Sequence, residues 1–182
     1  MANRSQSNYP DIGVLGEDLV TQWLHSQGWV ILHRRWRCRW GEIDIIATKP
    51  AQQAIGNRRE AGGNSSPFLV LVEVKTRSRG NWDAGGLLSI TPQKQAKIWQ
   101  TARCFLATYP KMADHTCRFD VALVCSQRLS PSQRHESAQD SNINNASAGS
   151  LAKAFQLGEA VYIAGYQLIL QDYIPSAFDG GG

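Results

Sequence analysis

The chain has 182 residues, 42% hydrophobic and 19% charged, a balance that fits one globular domain with one core and excludes a wholly disordered chain. Nineteen Lys and Arg against fifteen Asp and Glu give a net charge of +4, a mild bias towards polyanions such as nucleic acid that a solvated basic surface also explains. The four cysteines lack zinc-site spacing, and no apolar run reaches the roughly 18 residues of a membrane span, so we expect reduced thiols, no membrane partner and a cytoplasmic location.

The first predicted element is an amphipathic helix over residues 14–24. Its apolar residues recur at three- and four-residue spacing, Glu17 lies at the edge of that stripe, and Gly28 marks the end. Residues 29–48 follow and are rich in β-branched and aromatic side chains. As one strand they would span on the order of 65 Å, too long for a small domain. The segment must therefore turn, and Gly41 with the charged residues before it is the expected corner.

The predicted elements after the turn alternate between strand and helix. Residues 50–67 are small and polar and predict a loop or hairpin, and "FLVLVEVKTR" predicts a central strand covered on both faces. Thr91 and Pro92 predict the cap and first turn of a second helix. Further strands are expected at "CRFDVALVC" and, singly or as a pair, at "AVYIAGYQLILQDYI". The order predicts an α/β fold, a small mixed sheet flanked by helices, in a single domain over residues 1–182 with a disordered insertion at about 126–150.

Two acidic residues lie in apolar strand sequence. Asp44 lies between two isoleucines and Glu73 between two valines, and a buried charge is costly unless it is paired or binds a metal. If the two strands pair, the carboxylates can meet and repel, and a hard divalent ion such as Mg²⁺ resolves that repulsion. Lys75 lies two residues after Glu73 and so shares its face. A metal beside an ammonium suits phosphodiester hydrolysis.

The spacing of these residues alone does not decide their role. A bare (D/E)xK match is a weak signal in a chain of this length. Its placement in an apolar strand, downstream of an acid in a neighbouring strand, carries more weight. A Glu73–Lys75 pair on a half-solvated strand, with Asp44 as a turn or capping residue, stays open as the structural alternative.

The motifs in combination resemble a known family. The stretches "GVLGEDLVTQWLHSQGW", "GEIDIIA", "LVLVEVKTRS", "TPQKQAKIWQTARCFL" and "RFDVALV" occur in this order. Together they resemble the YraN-like family of bacterial proteins over about residues 13–124. That family is assigned to the PD(D/E)xK nuclease superfamily, which includes restriction enzymes and archaeal Holliday-junction resolvases. The resemblance implies a restriction-endonuclease-like core and DNA hydrolysis that depends on Mg²⁺ or Mn²⁺.

The resemblance also implies roles for individual residues. It makes Asp44 the first metal ligand, Glu73 the second and Lys75 the catalytic lysine. Glu17 matches an acid that some superfamily members add to the metal shell. Ile43 stands where the superfamily signature has proline, a replacement common in such proteins. Activity does not follow from these matches, because the superfamily includes members that have lost catalysis.

Basic residues around these motifs are candidates for contact with DNA. Arg35, Arg37 and Arg39 alternate with aromatic residues and Cys38, so in an extended segment they would share one face that could hold a phosphate backbone. A solvated strand edge protected by charge is the alternative. Further candidates, each also explicable as a solvated surface charge, are Arg77, Lys94 and Lys97.

The leading hypothesis is a metal-dependent DNA endonuclease, with branched or damaged DNA as candidate substrate. A catalytically inactive nucleic-acid-binding module and an interaction subunit of a DNA-processing complex stay open as alternatives. No GxxxxGK[ST] phosphate loop is present, which argues against ATP use. Oligomeric state is open, with a homodimer as the arrangement that resolvase-like relatives often adopt.

Overall fold

The computed structural model describes residues 11–49, 68–78, 91–130, 132–133 and 156–178. The strands form one six-stranded sheet in the order β1-β2-β3-β4-β6-β5. β3 and β4 run parallel, and the other neighbouring pairs are antiparallel. This confirms the predicted mixed α/β sheet flanked by helices. The elements are α1 (Ile12–Ser26), β1 (Val30–Cys38), β2 (Gly41–Lys49), β3 (Phe68–Ser78), α2 (Pro92–Thr108), a 3₁₀ turn (Pro110–Met112), β4 (Thr116–Arg128), β5 (Ala160–Ile163) and β6 (Tyr166–Ile174).

Most predicted boundaries are close to those observed. The expected corner is confirmed, because β1 ends at Cys38 and β2 begins at Gly41. β4 continues to Arg128, so the strand takes up the first residues of the predicted insertion. Most of that insertion, and the whole predicted loop over residues 50–67, lie outside the described residues. The single domain over residues 1–182 stays a prediction.

The helix ends are formed by local capping. The Asp11 carboxylate accepts a hydrogen bond from the backbone N–H of Gly13 (2.8 Å) at the start of α1. Gly28, at φ 79°, ends that helix and donates to the His25 carbonyl (3.0 Å). The Thr91 hydroxyl accepts from the backbone N–H of Lys94 (3.3 Å) at the start of α2. Gly28 and Thr91 are the end signals that the sequence predictions used, whereas the Asp11 cap was not predicted, and α1 begins two residues before the predicted start at residue 14.

One helix covers each face of the sheet. α1 packs with one cluster of buried side chains, which includes Val70 and Val72 of β3. α2 packs with a second cluster, which includes Leu69 and Leu71 of the same strand. β3 is therefore buried on both sides, as its apolar sequence predicts, and each such side chain contributes about 1.5–3 kcal/mol to stability. No helix in the described part of the chain is long and apolar enough to cross a membrane.

Gly16 lets α1 approach β3 closely. A Cβ atom on Gly16 would lie 1.9 Å from Oγ1 and 3.1 Å from Cβ of Thr76. Both are closer than atoms of side chains normally come, so only glycine fits unless the helix moves. Gly16 precedes Glu17 in α1, and Thr76 follows Lys75 in β3. The close approach therefore fixes the distance between the helix and the strand that carry candidate site residues.

We expect Gly16→Ala to lower the free energy of unfolding by about 1–3 kcal/mol, because the new methyl overlaps Thr76. Helix propensity alone predicts the opposite change in stability, because alanine is a better helix former than glycine by about 1 kcal/mol. Urea denaturation measures the change. Thr76→Ala in the same chain removes Oγ1 and should restore much of the stability. A Gly16→Ala chain as stable as the wild type would contradict the close approach.

Candidate active site

The regular alternation of β2 breaks at Asp44. Ile43 belongs to the cluster on the α2 side of the sheet, whereas Ile45 belongs to the cluster on the α1 side. In a regular strand, residues two apart share a face. The strand therefore changes its twist between the two isoleucines. Asp44 lies at the one position between them and is partly buried.

The Asp44 side chain binds the backbone of β3 just beyond the end of the β2–β3 ladder. The register between the two strands begins with Ile45 opposite Val72. Beyond this pair, the backbone N–H of Val74 donates to Oδ2 of Asp44 (2.7 Å). The side chain thus satisfies a donor on β3 at the point where the strands part. β2 and β3 pair as predicted, and Asp44 and Glu73 are the next residues beyond the Ile45–Val72 pair, where the charge of Glu73 raises the pKa of Asp44.

Glu73 binds two ammonium groups. Oε1 of Glu73 accepts a hydrogen bond from Nζ of Lys75 (2.6 Å), which confirms that residues two apart on β3 share a face. The same oxygen accepts one from Nζ of Lys94, at the start of α2. The Glu73 side chain is 11% exposed and that of Lys94 37%. The carboxylate is therefore nearly buried, with one cation from its own strand and one from the helix above it.

Glu17 binds an arginine of β1. Nε of Arg35 donates to Oε2 of Glu17 (2.7 Å) and Nη2 to Oε1 (2.9 Å), a bidentate pair. The neighbouring Arg34 reaches Oδ1 of Asp18 (2.6 Å) and lies 3.8 Å from Glu17. Glu17 is 7% exposed, so its charge needs this compensation. The hydrogen-bonded pair holds the pKa of Arg35 above its usual value.

Arg35 has a strained backbone. Its φ is 48°, in the left-handed region that non-glycine residues rarely adopt. Arg34 pairs with Ile45 and Trp36 with Ile43, so Arg35 lies across from Asp44, where β2 is also irregular. The conformation lets both Arg34 and Arg35 reach carboxylates of α1, which a regular strand would prevent. Strain of this kind costs of order 1–3 kcal/mol and is common at functional sites.

The acids differ in how well their charges are compensated. Burial and the negative charge of Glu73 raise the pKa of Asp44 to about 7, and the hydrogen bond from Val74 offsets only part of this. The more distant charge of Glu17 adds to the rise, and that of Lys75 opposes it. Burial lowers the pKa of Lys75 despite the attraction of Glu73. Within the described residues, Asp44 is the acid of the three without an ion pair.

The donor set suits a hard divalent cation. Oδ1 of Asp44 and Oε2 of Glu73 accept no hydrogen bond from the described residues. Mg²⁺ is typically held by one or two carboxylates, with waters and substrate phosphate completing its shell. Glu17, bound to Arg35, does not join them: no three His, Cys, Asp or Glu side chains of the described ranges are grouped as a metal site. Asp44 and Glu73 fit a two-carboxylate site.

The other predicted DNA-contacting residues are spread over the surface around this centre. Nε of Arg37 lies 3.0 Å from the carboxylate of Glu42. Arg39 lies beyond the end of β1, and its guanidinium stacks on Trp40 at 4.9 Å. Together with the bond from Arg35 to Glu17, these contacts show that the three arginines do not form one strand face, in contrast to the sequence expectation. Arg77 is half-buried on β3, and Lys97 is exposed on α2.

Sequence reasoning missed three contributions to the site. It considered Lys94 only as a DNA contact or a solvated surface charge, but Lys94 binds Glu73. It assigned no role to Arg34 or to the backbone N–H of Val74. Each of these contacts joins elements that are distant along the chain. Local periodicity carries no signal for them.

The comparisons with known proteins identify the family. The model of the "Uncharacterised protein family UPF0102" matches residues 16–124. The chain belongs to the UPF0102 family. A UPF0102 protein of Trichodesmium erythraeum is 48% identical over 168 residues, which cover 92% of this chain and 88% of the relative. A UPF0102 protein of Acaryochloris marina is 45% identical over 95% of this chain and 92% of the relative. A UPF0102 protein of Synechocystis is 42% identical over 93% of this chain and 99% of the relative.

The UPF0102 match covers the whole candidate site. It begins at Gly16, one residue before Glu17, and ends within β4. Asp44, Glu73 and Lys75 all lie inside it, as does Lys94. β5 and β6 lie outside it. The candidate site therefore falls within the part of the fold that defines UPF0102, as the resemblance to the YraN-like family implies.

We expect Arg35→Ala to lower the free energy of unfolding by about 1–3 kcal/mol, because it leaves the buried Glu17 carboxylate without its donors. Glu17→Gln removes that charge, so Arg35→Ala should cost less in the Glu17→Gln background. A double-mutant cycle by urea denaturation gives the coupling, expected at about 0.5–3 kcal/mol. Additive effects would show that Arg35 does not stabilise the fold through Glu17.

Proposed function

We propose that this UPF0102 protein is a metal-dependent DNA endonuclease. The observation that carries the proposal is the placement of Asp44 and Glu73 directly beyond the last Ile45–Val72 pair of β2 and β3, where the charge of Glu73 raises the pKa of Asp44, with Lys75 bonded to Glu73. Two nearly buried carboxylates, each with one oxygen available, suit a divalent cation, and an adjacent ammonium suits a phosphate. Membership of the PD(D/E)xK superfamily, with its restriction-endonuclease-like core, is part of this proposal. It accounts for the mixed sheet and for the acids on adjacent strands.

Asp44 and Glu73 would hold the cation, Mg²⁺ or Mn²⁺. When bound, such an ion lowers the pKa of water and polarises phosphoryl oxygens. The chain's own residues set the geometry around it. The Val74 N–H orients the Asp44 carboxylate, and Lys75 and Lys94 orient that of Glu73. Glu17 acts at longer range, because its contribution reaches Asp44 through charge and not through a shared contact.

Lys75 is the residue that would act on the substrate. In phosphodiester hydrolysis, water adds to phosphorus, one ester P–O bond breaks, and negative charge grows on the phosphoryl oxygens. The Lys75 ammonium is 2.6 Å from Glu73 and its side chain is 19% exposed. It can therefore remain paired with Glu73 while it donates a hydrogen bond to a phosphate at the surface. Lys94 provides a second positive charge on the same side.

The surrounding basic residues would hold the DNA backbone. Arg37, Arg39 and Lys97 are exposed around the centre, and Arg77 continues the strand of Lys75. Each phosphate they neutralise would release counterions and make binding weaker as salt rises. Arg35 contributes chiefly through Glu17, so its effect on DNA binding is expected to be indirect. DNA as partner, a homodimer and a cytoplasmic location all stay predictions.

One observation favours the inactive binding module as a second candidate. Glu17 is paired with Arg35, and Glu73 with two lysines. Side-chain cations thus already neutralise two of the three acids, as in a site where ion pairs have replaced a metal. Such a protein would keep its affinity for nucleic acid and lack turnover. Cleavage and binding measured on the same substrates separate the two candidates.

Cleavage of labelled linear, single-stranded and four-way-junction DNA with Mg²⁺ or Mn²⁺ tests the proposal. The wild type should cut at least one substrate, and chelator should abolish the reaction. Asp44→Asn, Glu73→Gln and Lys75→Ala should each lower the rate by about 10²-fold or more, because the first two remove the charge of a proposed metal ligand and the third removes the ammonium at the phosphate. Gel analysis of initial rates gives the measurement.

Matched controls come from exposed residues away from the site. Asp172→Asn on β6 and Lys111→Ala in the 3₁₀ turn should cut like the wild type. The proposal fails if the wild type cuts none of the substrates with either metal, or if the site variants cut as fast as the controls. DNA binding that weakens with salt, without any cleavage, would support the inactive binding module instead of the nuclease.

Mg²⁺ should raise the melting temperature of the wild type, because it relieves the repulsion between Asp44 and Glu73 and binds only the folded state. Differential scanning fluorimetry across a Mg²⁺ titration measures the shift. Asp44→Asn should abolish most of it, whereas Asp172→Asn should keep it. An equal shift in both variants would place the stabilising ion elsewhere.

A further inference from the structure

A cleft beside the candidate active site includes Lys94 and Lys97, but the proposed chemistry gives no role to its other lining residues. It has a volume of about 350 Å³ and lies between the β1–β2 turn and the first half of α2. Trp40 and Glu42 line it from the sheet, and Thr91, Lys94 and Lys97 line it from the helix. Its size is at the lower end of the range for small-molecule sites, about 300–1,000 Å³. Lys94 belongs both to this cleft and to the Glu73 centre.

Trp40 is the large apolar surface of this cleft. The residue is 42% exposed, and it is one of four large apolar residues in the described ranges that are exposed. The Arg39 guanidinium lies 4.9 Å from the ring centroid. This cation–π contact restrains the orientation of the indole ring. An exposed tryptophan held in this way, next to a cleft, is a surface on which a flat ring can stack.

The opposite wall of the cleft is cationic. Lys97 is exposed, and within the described residues its ammonium makes no ion pair. Lys94, one turn earlier on α2, lines the same wall. Among the described residues that line the cleft, the acid is Glu42, which is paired with Arg37 at 3.0 Å, so its charge is compensated. The cleft thus has an aromatic platform on one side and positive charge on the other, which is the chemistry of a nucleotide site.

We propose that this cleft takes an unpaired nucleobase of a DNA strand, stacked on Trp40, with the neighbouring phosphate bound by Lys97. The inference rests on the proposed nuclease function and names the substrate class of that site. In a duplex the bases are stacked inside, so only an unpaired or displaced nucleotide can enter. Because Lys94 joins the cleft to Glu73, a strand anchored on Trp40 brings a nearby phosphate towards Lys75. The preferred substrates are therefore DNAs with unpaired residues.

Fluorescence anisotropy with labelled twelve-residue oligonucleotides in chelator tests the inference without cleavage. The wild type should bind oligothymidine about tenfold or more tightly than an abasic strand of the same length, because stacking is lost without the base. Trp40→Ala should remove that preference, and Trp40→Phe should keep most of it. Lys97→Ala should weaken binding to both strands alike, because it removes a phosphate contact.

Tyr162→Ala, which truncates a similarly exposed aromatic residue on β5, is the matched control and should bind like the wild type. The inference is overturned if the wild type binds both strands equally, or if Trp40→Ala binds oligothymidine as tightly as Tyr162→Ala. Tighter binding of oligouridine or of a duplex would also overturn it. If binding depends on the base but no metal-dependent cleavage occurs, the nuclease proposal is overturned, whereas the binding of an unpaired base at Trp40 is still supported.

Discussion

Three carboxylates within one small fold impose the constraint on which the candidate site depends. Glu17, Asp44 and Glu73 come from a helix and two strands, and the charges of the other two both raise the pKa of Asp44. Buried charges are tolerated only when something compensates them. Glu17 has a guanidinium and Glu73 has two ammonium groups. Within the described residues, Asp44 accepts a hydrogen bond from a single backbone N–H. It is therefore the acid whose environment would gain most from an added cation.

The backbone irregularities follow from the same constraint. β2 changes face between Ile43 and Ile45, and β1 takes a left-handed residue at Arg35, directly across the ladder. A regular pair of strands would direct Asp44 into one core and Arg35 away from α1. Gly16 then brings the helix close enough to β3 for Glu17 to be part of the arrangement. The close packing at Gly16 and the strained backbone at Arg35 thus both lie next to residues of the candidate site, as is common where function opposes stability.

Much of the fold and part of the site could be predicted from sequence, because those features have local causes. Thr91 caps α2 as its hydroxyl and the following proline predict, and the two-residue period of a strand places Lys75 beside Glu73. The face of the arginines could not be predicted, because Arg35 departs from extended geometry. The contact of Lys94 with Glu73 depends on how α2 docks on the sheet. The periodicity of a sequence reports on a single helix or strand, whereas each of these contacts joins two such elements.

The central claim is that Asp44 and Glu73 together hold a divalent cation. Anomalous scattering from crystals of the wild type soaked in Mn²⁺ tests it most directly, because the signal locates the ion without reference to activity. The account predicts one strong peak ligated by oxygens of both carboxylates, at about 2.0–2.3 Å, that is lost in crystals of Asp44→Asn. Peaks only at other acidic residues, or none while Lys75 and Lys94 stay on Glu73, would contradict it.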